Sequence, residues 1–90
     1  MHEIECVITG RVQMVGFRVF AEHRAKMLGL VGYVENTNEG KVHMVAQGDR
    51  PRLQQFIEYM RNGPPVAQVD DVSVNWREPV NIFERFEIRI

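Results

Sequence analysis

The chain has 90 residues with a net charge of −1 at pH 7, one cysteine, and 44% hydrophobic residues. This length allows one domain with a modest core but not two, and the charge gives no general attraction to nucleic acid or to anionic membranes. A single cysteine excludes an internal disulfide framework, no apolar stretch reaches the roughly 20 residues of a membrane helix, and the first residues alternate without an apolar signal segment. We therefore expect one soluble, cytoplasmic domain.

The first predicted element is a strand from about Glu3 to Thr9. Its apolar residues occupy alternate positions and should face the core; they are Ile4, Cys6 and Ile8. The intervening residues, Glu3 among them, should face the other way. In this pattern Cys6 is a small buried apolar residue and not a nucleophile.

A loop rich in glycine and arginine follows this strand. Gly10, Arg11, Gly16 and Arg18 lie in a stretch without acidic residues, and a helical pattern opens near Phe17. A short loop that leads into a helix N-terminus directs unpaired N–H groups into one concavity, and a nearby arginine suits phosphate. The pattern predicts an oxyanion site. Taken alone, it also fits an ordinary strand-to-helix turn, because its glycine spacing matches neither a P-loop nor a dinucleotide fingerprint.

The predicted helix runs from Gly16 or Phe17 to Leu28 and ends at Gly29. Two strands, about Val31 to Asn36 and Lys41 to Gln47, then form a hairpin across a short turn that contains Asn38 and Gly40.

The second half of the chain contains one more helix and two more strands. A second helix begins with a cap at Asp49 or Arg50 and ends at Asn62-Gly63-Pro64-Pro65. Its residues at i, i+3, i+4 and i+7 form an apolar stripe, namely Leu53, Phe56, Ile57 and Met60. Strands from about Ala67 to Trp76 and Phe83 to Ile90 follow.

This order predicts an α+β fold in which two amphipathic helices pack on one face of an antiparallel sheet. The arrangement is the split βαβ, ferredoxin-like one. No cluster of His, Asp and Glu has metal-ligand spacing, so we expect no metal and no other cofactor.

The residues limit the chemistry that the chain can perform. With Cys6 buried and no activated serine, a hydrolytic mechanism must use water as its nucleophile. Most phosphate esters need a general acid or a metal to assist the leaving group. An acyl phosphate instead releases a carboxylate, whose conjugate acid has a pKa of about 4. A site built from amides and one arginine is sufficient for this substrate class.

The chain also resembles the acylphosphatase family. Gly10-Arg11-Val12-Gln13-Met14-Val15-Gly16-Phe17-Arg18 is similar to the family's signature loop, and Gly32-Tyr33-Val34-Glu35-Asn36 with Gly40-Lys41-Val42 is similar to its second signature. The resemblance covers nearly the whole chain, so residues 1–90 form a single acylphosphatase-like domain. It implies a ferredoxin-like fold and metal-independent hydrolysis of small acyl phosphates to carboxylate and inorganic phosphate.

The site residues follow partly from the loop geometry and partly from this resemblance. Arg18 binds the phosphoryl oxygens, and the resemblance assigns to Asn36 the orientation of the attacking water. The phosphoryl oxygens are also held by the amides of the loop, those of Val12, Gln13, Met14, Val15, Gly16 and Phe17. Arg11 either steers anions from the rim or is simply solvated. We expect a monomer that acts on a small molecule, without a nucleic acid or membrane partner.

Met14 stands where the family has glycine. If this position needs a positive φ, a methionine there is strained and narrows the mouth of the site or crowds an amide; if φ is ordinary, the side chain lines the acyl side. Two alternative functions remain open at this stage. One is a non-catalytic regulatory domain that binds phosphate or carbamoyl phosphate. The other is an RNA-binding module, which the absence of aromatic residues from Lys41 to Gln47 disfavours.

Overall fold

The computed structural model describes all residues from 1 to 90, which form five strands and two helices. The elements in chain order are β1 (His2–Arg11), α1 (Phe17–Met27), β2 (Val31–Asn36), β3 (Val42–Gly48), α2 (Arg50–Asn62), β4 (Gln68–Arg77) and β5 (Phe86–Arg89). Every predicted element is present. Neither helix is long and apolar enough to cross a membrane.

The strands form one sheet in the order β4-β1-β3-β2-β5. Three of the four strand pairs are antiparallel, and β2 pairs with β5 in parallel. The α+β, ferredoxin-like prediction is confirmed, with both helices on one face, but the sheet is mixed and not purely antiparallel. The reason is the connection 78–85, which leaves β4 at one edge and brings the chain to the opposite edge beside β2.

The core lies between the sheet and the helices. It includes the predicted alternate residues of β1 and the whole predicted stripe of α2. Phe17, Ala21 and Ala25 are the buried residues of α1. Cys6 is fully buried, and this burial raises the pKa of its thiol to about 12. The thiol therefore stays protonated and is not a nucleophile, as predicted.

The other face of the sheet carries a network of paired polar side chains, which we call the open-face cluster: Glu3, Glu5, Glu35, His43, Gln47 and Arg77. The Glu3 carboxylate accepts from Arg77 Nε and from Gln47 Nε2, and His43 lies 2.9 Å from both the Glu5 and the Glu35 carboxylates. Glu3 lies on the face opposite to Ile4, as predicted, but it is buried there, with only 4% of its surface exposed.

The connection 78–85 causes this burial. The Phe83 amide donates to Gln47 Oε1 at 3.0 Å, the Asn81 carbonyl accepts from Gln47 Nε2, and the Phe83 ring packs edge-on to Tyr33. The connection therefore lies across the face of the sheet that carries no helices. Because Phe83 bonds to a side chain rather than to a neighbouring strand, β5 begins at Phe86 and not at Phe83 as predicted.

Candidate active site

Three residues between the end of β1 and the start of α1 have a positive φ, which favours glycine. Gly10 has φ 124°, and a Cβ there would lie 2.2 Å from the carbonyl oxygen of Gln68, so a side chain would collide with β4. Met14 and Gly16 follow in the left-handed region, with φ of 62° and 76°. Beyond Gly10 the chain leaves β1, and the two left-handed residues lead it into the first turn of α1.

The N–H groups of this loop and of the first turn of α1 have no protein acceptor. None of the amides from Val12 to Val19 donates a hydrogen bond within the chain, and the first one that does is the Phe20 amide, to the Gly16 carbonyl at 3.0 Å. Gly16 precedes α1 without a side-chain cap, and the first turn of α1 has no acidic residue. The N-terminal end of the helix dipole therefore remains uncompensated by protein groups.

Most residues of this segment border a small hollow of about 100 Å³, which we call the cup. Since a water molecule takes about 30 Å³ of liquid volume, the cup accommodates a group of a few heavy atoms. Its lining residues are Val12, Met14, Gly16, Phe17, Arg18, Val19 and Asn36. The structure thus brings together six of the eight predicted site residues and adds Val19. Gln13 and Val15 do not line the cup.

Arg18 is the only charged residue that lines the cup. Its Nη1 atom donates to the carbonyl oxygen of Arg89 in β5 at 3.2 Å, and no carboxylate lies within 4.0 Å of its guanidinium. The β5 carbonyl orients the side chain without neutralising it, so its charge remains available to an anion. Arg11 is exposed and lies outside the lining.

Asn36 is the last residue of β2 and is paired with Val42 of β3. Side chains alternate along a strand, so Asn36 lies on the same side of the sheet as the buried Val34. This is the side that carries the helices, and it is why the carboxamide reaches the cup although Asn36 is far from the loop in sequence. Asn38 lies in the hairpin turn, as predicted.

The side chain of Gln13 connects the loop to the β2–β3 hairpin. Its Nε2 atom donates to the carbonyl oxygens of Thr37 and Lys41, at 2.8 and 2.9 Å. The Thr37 hydroxyl in turn accepts from the Lys41 amide at 3.1 Å, which tightens the same turn. The sequence predicted a role for the backbone amide of Gln13, but it gave no indication of this side-chain contact. No local signal reveals it, because the partners are 24 and 28 residues away.

Met14 combines features of both alternatives considered from the sequence. Its φ is positive, which costs a non-glycine residue about 1–2 kcal/mol. Its side chain does not fill the cup, however, since it is fully exposed to solvent at the mouth. The methionine is therefore strained in its backbone and leaves the amides accessible.

A second hollow, of about 330 Å³, lies on the open face between the sheet and the connection 78–85. Its charged lining residues, Glu3 and Arg77, bond to each other, so it offers no free charge to a ligand. No group of three or more His, Cys, Asp or Glu side chains is placed to hold a metal ion. The cup is the candidate site because it joins amides without protein acceptors to an arginine without a carboxylate partner.

Comparison with known proteins shows the family of this chain. The family model described as acylphosphatase matches residues 4–88. The acylphosphatase of Methanocella arvoryzae is 43% identical over 89 residues, which cover 99% of this chain and all of the relative. The crystal structure of the acylphosphatase from Bacillus subtilis superposes with a TM-score of 0.97 at 37% identity over the full length of both chains. The structure of an acylphosphatase from Coxiella burnetii superposes with a TM-score of 0.91 at 33% identity, over 97% of this chain and 90% of the other.

Proposed function

The chain belongs to the acylphosphatase family, and from this premise we propose that it cleaves the carboxyl–phosphate bond of small acyl phosphates in the cup. Water attacks the phosphorus atom, the bond between phosphorus and the acyl oxygen breaks, and carboxylate and inorganic phosphate leave. The loop amides and Arg18 hold the phosphoryl group, while Asn36 orients the water.

The single observation that carries this proposal is the run of loop amides without protein acceptors beside an arginine without a carboxylate partner. The amides proposed to bind the phosphoryl oxygens are those from Val12 to Phe17, including those of Gln13 and Val15, whose side chains lie elsewhere. Hydrogen bonds of this charge-assisted kind contribute about 1.5–3 kcal/mol each. They also stabilise the charge that redistributes over the phosphoryl oxygens as the bond breaks.

Asn36 is suited to positioning and not to proton abstraction. A carboxamide accepts a hydrogen bond through its oxygen and donates through its nitrogen, but it is not a strong base at neutral pH. Its place in the lining of the cup, with Arg18, allows it to hold a water against the bound phosphoryl group. Correct orientation of this water lowers the barrier by removing rotational and translational freedom before the reaction.

The reaction needs neither a metal nor a general acid in this proposal. The leaving carboxylate has a conjugate acid of pKa about 4, so it departs without protonation at neutral pH. Arg18 and the amides supply the positive field that a metal supplies in other phosphoryl-transfer enzymes.

The test is hydrolysis of acetyl phosphate and benzoyl phosphate by the purified chain with a chelator present. We expect turnover to persist in the chelator, Arg18→Ala to lower kcat/KM by about 10²–10³-fold, and Asn36→Ala to lower kcat by roughly 10²-fold. Arg11→Ala and Asn38→Ala are matched controls, because each removes the same residue type from a nearby exposed position outside the cup. Both should keep the turnover of the unmodified chain.

Three results would count against parts of the proposal. Loss of activity in the chelator would reject the metal-independent reaction. Full turnover of Asn36→Ala would reject the water-orienting role. Binding of inorganic phosphate without hydrolysis of either substrate would favour the regulatory phosphate-binding domain over the enzyme.

A further inference from the structure

Two exposed apolar side chains flank the mouth of the cup. Met14 is fully exposed and Val19, in the first turn of α1, is 63% exposed, and both line the same hollow as Arg18 and Asn36. The other apolar lining residues, Val12 and Phe17, are buried in the core at 1% and 2% exposure. Met14 and Val19 are therefore the only lining residues that present exposed apolar surface at the mouth.

The chain keeps Met14 at this place although its backbone conformation is one that glycine adopts without strain. Residues held in strained conformations are concentrated at functional sites, where the surrounding structure maintains them. An exposed apolar side chain also gains nothing from the core, so neither backbone preference nor packing within the chain accounts for the methionine. A bound molecule that covers this side chain would account for it.

We propose that Met14 and Val19 form a contact surface for the acyl group, so that the enzyme favours acyl phosphates with an alkyl or aryl body. This inference rests on the proposed function: once the amides hold the phosphoryl group, the acyl group extends through the mouth of the cup. Burial of its apolar surface against the two side chains stabilises the complex, and a methionine sulfur also makes favourable contacts with aromatic rings. Apart from Arg18 the lining is uncharged, so it holds no dedicated partner for a charged acyl group.

The measurement is the ratio of kcat/KM for benzoyl phosphate to that for acetyl phosphate. Relief of strain in the loop changes the hold on the phosphoryl group for both substrates alike, so it cancels in this ratio. We expect the ratio to fall roughly fivefold in Met14→Gly and roughly threefold in Val19→Thr, which preserves shape but removes apolar surface. Met14→Leu, which keeps an apolar side chain, should retain most of the ratio of the unmodified chain.

Met27→Ala is the matched control, because Met27 is 61% exposed at the opposite end of α1 and does not line the cup. Its ratio should equal that of the unmodified chain. An unchanged ratio in both Met14→Gly and Val19→Thr would overturn the acyl-contact proposal. If the unmodified chain hydrolyses neither substrate, it is the proposed function that fails instead, so the two failures can be told apart.

Discussion

The two helices begin in opposite ways. At α2 the Asp49 side chain accepts from the Arg52 amide at 3.0 Å, its backbone is extended with φ −77° and ψ 158°, and Pro51 occupies the first turn. At α1 the corresponding residue is Gly16, which is left-handed and provides no side-chain acceptor. A carboxylate thus satisfies one of the free N–H groups of α2, whereas those of α1 are left to the cup.

This difference shows how one structural problem has two solutions in one chain. Every α-helix begins with N–H groups that its own backbone cannot satisfy and with partial positive charge. Capping by a side chain satisfies them permanently and stabilises the fold. Leaving them free forgoes that stabilisation and creates a binding site for an anion, which in the proposed function is the phosphoryl group of the substrate.

Among changes at the two helix starts, the largest effect should come from giving α1 an acidic side chain like that of α2. Gly16→Asp should lower kcat/KM by about 100-fold or more, because a carboxylate beside the cup repels the phosphoryl group and competes for its amides. A Cβ at Gly16 would have no neighbour within 4 Å, so the side chain fits sterically. Steady-state kinetics with benzoyl phosphate measures the effect.

Gly16→Asn is the matched control for the charge. Asparagine has the same shape as aspartate and both tolerate the left-handed region, so strain is shared between the two variants. We expect Gly16→Asn to lower kcat/KM by roughly tenfold or less. Equal losses in the two variants would mean that backbone strain, and not negative charge, impairs the site.

A smaller effect should follow from releasing the loop that precedes α1. Gln13→Met preserves side-chain length but removes both hydrogen bonds to the hairpin that carries Asn36. We expect kcat to fall about tenfold with little change in KM, because a small misplacement of the attacking water affects turnover more than binding. Gln54→Met, at an exposed position of α2, is the control. A rise in KM without a change in kcat would contradict this role.

Removal of the α2 cap should affect stability alone. Asp49→Ala should lower the free energy of unfolding by about 1 kcal/mol, the usual worth of such a cap, and leave kcat/KM unchanged. Urea unfolding together with the hydrolysis assay tests both parts. Asp70→Ala removes an exposed carboxylate from β4 and should change neither quantity. Reduced activity in Asp49→Ala would mean that the two helix ends are coupled.

The smallest effect concerns the strain stored in the loop. Met14→Gly should raise the free energy of unfolding by about 0.5–1 kcal/mol, since the relief of about 1–2 kcal/mol exceeds the entropy that glycine adds to the unfolded chain. Gly16→Ala should have the opposite sign, because alanine at φ 76° is strained although its Cβ has free space. Shifts of the same sign in the two variants would argue against this account.

Much of the fold and of the cup could be predicted because the relevant signals are local. Alternation in β1, the apolar stripe of α2 and the Asp49 cap depend on neighbours within a few residues. The loop from Gly10 to Arg18 was recognisable for the same reason. A strand end, two glycines, two arginines and a helix start stand together in the sequence, and the structure makes one cup of them.

The features that were missed all depend on segments far apart in the chain. The burial of Glu3 could not be predicted, because alternation assigns a residue to a face of the sheet but does not say what covers that face. The connection 78–85 covers it, and the same crossing makes the pairing of β2 with β5 parallel. Gln13 likewise finds its acceptors in a hairpin more than 20 residues away.

The sequence by itself determined the elements, their order and the chemistry available between β1 and α1, because periodicity, turn residues and charge are local properties of the chain. Only the tertiary structure decided that Asn36 and Val19 share the cup with Arg18, that Met14 is left-handed yet exposed, and that Glu3 is buried. The physical reason is that burial and the meeting of side chains depend on how the whole chain packs.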